Sequence, residues 1–341
     1  MPDSFEAQLA QYHELTAEAL AAALPSREPR RYLYELVAAQ LTRGGKGLRP
    51  ALCIATCRAY GDSVERVLPS AVAIELLHNA FLVHDDVEDQ SEYRSHQPTL
   101  VAEHGVGIAV NVGDALNALS MRPLSANIEL LGPELAALVA REFEHMLLQS
   151  IEGQALELGW IRDNLCDLGE DDYLRMTLKK TAWYTCMHPC RIGGLIGTGG
   201  RVDPARFNRF GHFLGAAFQI QDDLLNLVGD REKYGKEILG DLWEGKRTLM
   251  LVHLLRHCGE EERRRLRAFL GTARAAKAER DVRWVHGLLL AYGSLDYARA
   301  AARQLADAAA RELPVAYAGA HRSEDLRFIE SLVQYVVRRE L

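Results

Sequence analysis

Residues 74–99 read IELLHNAFLVHDDVEDQSEYRSHQPT. The first half is an apolar run with helical character, and it ends in a cluster of acids. Asp85 and Asp89 are four apart, so a helix places them one turn apart on one face. Two carboxylates at that spacing repel, and a cation removes the conflict. Mg²⁺ suits such a pair, because it takes one or two protein carboxylates and completes its shell with water and phosphate oxygens. An acidic helix end facing solvent reads the same way in isolation. A second stretch, FQIQDDLLNLVGD (218–230), repeats the pattern with Asp222, Asn226 and Asp230 at i, i+4 and i+8. Two apolar helices, each with an oxygen-bearing stripe, suggest facing walls of one cavity with a metal–phosphate cluster at its mouth. Asn226 is neutral, so the second wall is expected to hold metal more weakly.

The 341 residues carry a net charge of −7, which argues against general nucleic-acid binding. Six Cys lack a regular disulfide spacing, and the polar N-terminus shows no basic segment followed by an apolar core. No uncharged stretch of about 20 apolar residues is evident. The expectation is a reduced, cytoplasmic protein without a membrane span.

Most of the chain has helical periodicity, with no convincing strand, linker or repeat, and a single domain over 1–341 is expected. RGGKGLRP (43–50) sets Lys46 and Arg49 among glycines, which let the backbone turn and bring cations to an anion. It is not a nucleotide P-loop, since GxxxxGK[ST] and a preceding strand are absent. His78 and His84 precede the first acids and are equally compatible with hydrogen-bonded core positions. Gly113 and Ala115 are small enough for close helix packing, and Gln154 and Glu157 interrupt an apolar stripe. Lys180 and Thr181 lie on a largely apolar helix spanning about 171–196, which Pro189 is expected to kink. Cys186, His188 and Cys190 do not make a zinc set, because His188 points off the shared face and no fourth ligand is evident. GGLIGTGG (193–200) ends a helix and follows no strand, so it is not a dinucleotide loop. A polar, glycine-punctuated segment near 229–248 carries Lys236 and Lys246 and has the composition of a loop that closes over a charged ligand.

Six ordered elements resemble the trans-isoprenyl diphosphate synthases, or polyprenyl synthetases. GGKGLRP resembles GGKxxRP, HDDVED the first aspartate-rich motif DDxxD, and GQALEL the element GQxxDL. KKTAWYT resembles the KT element, FQIQDDLLN the second motif FQxxDDxxD, and GKRTLMLVHLL the GKxTLP segment. The resemblance implies an all-α isoprenoid synthase fold, antiparallel helices around a deep central cavity, and a homodimer. It implies that an allylic diphosphate ionises, isopentenyl diphosphate attacks the cation, and a proton is lost. By motif, Asp85, Asp89 and Asp222 are the Mg²⁺ ligands, supported by Asp86, Asp223 and Asn226, with three ions accompanying the diphosphate. Arg94, Lys180 and Lys246 grip the allylic diphosphate, with Lys236 a further candidate. Lys46, Arg49 and His78 hold isopentenyl diphosphate, with Phe218 and Gln219 beside it. Thr181 and the released diphosphate assist proton removal.

Three departures stand out. Ser95 and His96 follow Arg94 where the family has a second arginine and a glycine, and the missing arginine belongs to the acceptor site. Asn226 replaces an aspartate, and Met250 a common proline. Helix geometry sets Phe81 about 5.4 Å above Asp85, with Leu77 and Ile74 farther along the wall. Ala80 is small where short-chain members often carry an aromatic. A growing chain passes Ala80 and meets Phe81 early, so the expected product is short, C20 first and C15 second. The alternative is a terpene cyclase on the same fold, which ionises a prenyl diphosphate without an acceptor. A non-catalytic subunit of a heteromeric synthase fits less well, because such subunits tend to lose the acids.

Overall fold

The computed structural model describes residues 5–228 and 238–338. Its main helices are α1 (Phe5–Ala23), α2 (Glu35–Thr42), α3 (Leu48–Ala59), α4 (Val64–Glu88), α5 (Leu100–Leu131), α6 (Pro133–Arg162), α7 (Glu170–Thr177), α8 (His188–Thr198) and α9 (Asn208–Val228). Shorter and longer helices follow from Gly240 to Arg338. The chain divides into two compact units. One comprises Met1–Met146, Tyr184–Arg209 and Leu313–Leu332; the other comprises Leu147–Trp183, Phe210–Glu312 and Val333–Leu341.

In the first unit, α4 and α5 pack along their length. Leu76, Ala80 and Val83 of α4 share a core with Ala109, Val112 and Leu116 of α5. The His84 ring lies over Gly113, where an added Cβ would be 2.3 Å from its Nε2, so a larger residue there would have to displace that side chain. Thr99 starts α5 by accepting a hydrogen bond from the Ala102 amide, and Gly105, at φ 79°, bends its first turns. The same rule joins α3 to α8. A Cβ on Gly193 or Gly197 would meet the carbonyl oxygens of Cys53 or Cys57 at 2.4 and 2.5 Å. In GGLIGTGG, Gly193 and Gly197 therefore serve helix packing, while Gly199 and Gly200, at φ 62° and 79°, end α8.

The second unit is organised around α9. Ile220, Leu224 and Leu227 of α9 share a core with Tyr173 and Met176 of α7 and with Leu254, Leu266 and Val285 from later helices. Between α7 and α8 the chain is π-wound over Leu178–Met187. The expected single helix is instead wound in three contiguous pieces, and Pro189 falls where the π-wound stretch gives way to α8. It occupies the first turn of α8, where its missing N–H costs nothing.

One sequence expectation is corrected. A two-residue antiparallel ladder exists, pairing Tyr93 with Pro98 and Arg94 with Gln97. One helix, Val64–Glu88, passes a length-and-composition test for crossing a membrane although it carries Glu65, Arg66 and Glu75. Its most apolar window is 61% buried within the protein, so that apolarity is spent on packing.

Candidate active site

The first unit holds two oppositely charged clusters. The acids Asp85, Asp86 and Glu88 occupy the last turn of α4, and Asp89 caps it, with no basic residue in that turn. A helix C-terminus carries partial negative charge, so each carboxylate there is disfavoured by about 0.3–1 kcal/mol. Arg94 offsets part of this. Its Nε donates to Asp86 Oδ1 at 2.8 Å and its Nη2 lies 2.6 Å from the same oxygen and 3.3 Å from Asp85 Oδ2. Burial works against the guanidinium charge, but Asp86 and Asp85 raise its pKa and keep it protonated.

Arg94 stands on the ladder, and Ser95 and His96 form its turn with φ 50° and 62°. Two consecutive left-handed residues make a tight hairpin turn that ordinarily favours Asn-Gly. The Ser95 and His96 side chains are exposed at its tip. Arg43, at the start of the glycine loop, reaches the same hairpin, donating to the Pro98 carbonyl and to Glu103.

The other cluster is cationic. Gly47, at φ 60°, begins α3 and turns the chain so that Arg49 enters the first helical turn. Arg49 Nη1 lies 3.2 Å from His78 Nε2, and its Nη2 donates to the Tyr184 hydroxyl at 2.8 Å. The guanidinium also sits 4.4 Å from the Tyr184 ring centroid. Its Nε is buried without a hydrogen-bond partner. Burial raises the pKa of the nearby Glu75 carboxyl, and the Arg49 charge partly offsets that. Lys46 is exposed on the loop.

Along α4, Ile74, Leu77 and Ala80 are fully buried, Ala80 within the core shared with α5. Phe81 is half-buried and meets the Tyr184 ring edge-on at 5.5 Å. Of the expected wall, Phe81 is therefore the residue with surface still open.

In the second unit, Asp222 is half-buried on α9 and has no hydrogen-bond or ion-pair partner among the described residues. Asp223 is buried and fully engaged. Gln219 Nε2 donates to its Oδ1 at 2.6 Å and the Tyr173 hydroxyl to its Oδ2 at 2.8 Å. Burial pushes the Asp223 carboxyl up to about 7, against those two hydrogen bonds and with help from Asp222 and Glu157. Thr181 Oγ1 donates to Gln219 Oε1 at 2.7 Å. Thr181 thus donates to Gln219 and Gln219 to Asp223, while Tyr173 donates to Asp223 from the other side, and this network assigns the amide orientation of Gln219.

Lys180 is hydrogen-bonded to the buried Glu157. Gly153, one turn before Glu157 on α6, lies against the Lys180 backbone, where a Cβ would be 2.2 Å from the amide nitrogen. Lys246 Nζ lies 2.9 Å from Glu244 Oε2. Asn226 has a task of its own, since its Oδ1 accepts the Asp241 amide at 3.0 Å and so caps the helix Gly240–Glu244. Phe218 is half-buried on α9. Lys236 and Asp230 lie outside the described residues.

Among the described residues no three His, Cys, Asp or Glu side chains converge as a complete metal cage. Mg²⁺ does not require one. The acids at the end of α4, where the helix dipole adds to their charge, fit a hard cation that draws its remaining ligands from phosphate and water. Asp222, in the second unit, is a half-buried carboxylate suited to the same kind of ion.

The polyprenyl synthetase family profile matches residues 30–288. Geranylgeranyl diphosphate synthase of Mycobacterium tuberculosis is 35% identical over 297 residues, covering 87% of this chain and 80% of that protein. Geranylgeranyl pyrophosphate synthetase from Pyrococcus horikoshii superposes with TM-score 0.85 at 30% identity, covering 98% of each chain. A polyprenyl synthase from Caulobacter crescentus, solved with calcium and isoprenyl diphosphate, superposes with TM-score 0.83 at 26% identity over 98% of this chain and 96% of that one. The fold and the acid-bearing helices are those of an all-α isoprenoid synthase. The chain belongs to the polyprenyl synthetase family, and it is a trans-prenyltransferase of the short-chain isoprenyl diphosphate synthase type.

Proposed function

We propose that this chain acts over residues 1–341 as one catalytic domain that condenses an allylic diphosphate with isopentenyl diphosphate, head-to-tail and trans, giving a C20 product and secondarily C15. The observation that carries this reading is the pair of opposite clusters in the first unit. A diphosphate can approach Arg49 and Lys46 directly as an anion to cations, with His78 beside them. It can approach Asp85 and Asp89 only through divalent metal. One fold thus offers two modes of diphosphate binding, as a reaction of two diphosphates requires.

In this reading Asp85, Asp89 and Asp222 are the ligands of Mg²⁺, three ions in all, with Asp86, Asp223 and Asn226 supporting. Bound Mg²⁺ supplies positive charge against the leaving diphosphate. Arg94, Lys180 and Lys246 add charge-assisted hydrogen bonds to that group as the C–O bond breaks, and Lys236 is a further candidate. Lys46, Arg49 and His78 hold the acceptor with its double bond toward the allylic carbon, with Phe218 and Gln219 beside it. Thr181 gives its own proton to Gln219, so its oxygen has acceptor capacity left for a further proton. It assists proton loss to the released diphosphate.

Phe81 sets the product length. The exposed stripe Val106, Val110, Met121 and Ile128 on α5 supports a homodimer, and six free thiols support a cytoplasmic setting. Metal dependence tests the reading. Chelation by EDTA is expected to abolish turnover and added Mg²⁺ to restore it. Asp85→Asn and Asp222→Asn are each expected to lower kcat at least about 100-fold. Full turnover in EDTA would overturn the metal assignment.

A further inference from the structure

We infer that Tyr184 is a positioning residue that ties the acceptor grip to the product-length wall. This rests on the proposed acceptor role of Arg49 and His78 and deepens it. Tyr184 begins a segment of the first unit and makes three separate interactions there. Its hydroxyl accepts the Arg49 Nη2 hydrogen bond at 2.8 Å, and its ring face lies 4.4 Å from the guanidinium carbon. His78 tilts against the same ring at a centroid separation of 5.9 Å. Phe81 meets it edge-on at 5.5 Å with planes 84° apart.

These interactions divide into two functions. The hydroxyl and ring face hold a guanidinium whose Nε is buried without a hydrogen-bond partner. An arginine left to choose its own rotamer would lose part of its grip on a diphosphate, because a planar donor fork is directional. The ring edge supports Phe81, whose position decides where a growing chain stops. Aromatic pairs of this geometry hold each other in place beyond simple burial. Tyr184 reads the acceptor's diphosphate through Arg49 and the product's tail through Phe81.

Two substitutions separate the functions. Tyr184→Phe keeps the ring and removes the hydroxyl. The expected result is a KM for isopentenyl diphosphate raised about 10-fold, with kcat and the allylic KM within about 2-fold and product length unchanged. Tyr184→Leu removes the ring as well, and products at least one isoprene unit longer are expected in addition. Arg49→Gln is the control for the underlying reading, and it must raise the acceptor KM. If Arg49→Gln leaves that KM unchanged, the acceptor site itself is misassigned. If Arg49→Gln raises it and Tyr184→Phe does not, the inference about Tyr184 alone is overturned. An unchanged product profile in Tyr184→Leu would equally overturn the link to Phe81. A uniform fall in kcat with a lowered thermal midpoint in both variants would reduce Tyr184 to a packing residue.

Discussion

Asp85 and Arg94 show how far single residues can be read. The i, i+4 spacing of Asp85 and Asp89 suits a cation or a solvent-facing helix end equally, and the structure adds that both stand at the end of the helix dipole that disfavours carboxylates. Motif resemblance assigns Arg94 to the allylic diphosphate; the structure shows it paired with Asp86 and Asp85, contacts that the motif does not disclose. Tyr184 was not legible. Its spacing from Arg49 is 135 residues, and nothing in a local pattern marks an aromatic that will lie under a distant guanidinium. Tyr173, which donates to Asp223, was missed for the same reason. Phe81 gives the sharpest prediction at this scale. Phe81→Ala removes the half-buried ring from the wall, and products longer than C20 are expected by chromatography of the dephosphorylated alcohols. An unchanged length distribution would remove Phe81 from the role.

Among the elements, the π-wound stretch Leu178–Met187 carries Lys180 and Thr181, and helical periodicity alone could not separate it from an α-helix. Neighbouring glycines show why it lies so close to its neighbours. Gly153 of α6 sits against the Lys180 backbone, and Gly215 of α9 against Ala182, where a Cβ would come within 2.5 Å of Cα. Gly153→Ala must therefore displace backbone, at a cost of about 1–3 kcal/mol. A lowered thermal midpoint and at least a 10-fold fall in kcat are expected, since Lys180 moves with its backbone. Gly159→Ala on the same helix meets nothing within 4 Å and is expected to leave the midpoint unchanged or slightly raised. Equal midpoints for the two variants would contradict the close approach. Asn226 shows the opposite limit. Sequence made it a weakened metal ligand, and the structure makes it also the cap of a later helix, a partner 15 residues away.

Across the whole molecule, the all-α class was legible because apolar stripes and ordered motifs run from the glycine loop to GKRTL. The buried polar groups were not, because burial depends on distant packing. His188 was weighed only as a zinc ligand, yet it is fully buried, with Nδ1 2.9 Å from Glu142 Oε2 and Nε2 2.9 Å from His145 Nδ1. Arg191 also grips Glu142 with two hydrogen bonds, at 2.6 and 2.7 Å, and reaches Asn208. Burial lowers the His188 pKa from 6.5 to about 4, overriding Glu142. The folded state thus keeps His188 neutral while the unfolded chain protonates it. Stability is complete above about 6.5 and is lost as pH falls toward about 4, by up to about 3 kcal/mol. Urea unfolding of the native chain and of His188→Gln is expected to show a shallower loss in the variant over this window. Parallel curves would contradict it.

The most direct measurement follows labelled isopentenyl diphosphate into product, using farnesyl diphosphate, Mg²⁺ and the purified chain, with and without the labelled acceptor. The expected result is a C20 diphosphate carrying one label, formed only when both substrates are present. Unlabelled hydrocarbon formed without the acceptor would contradict it.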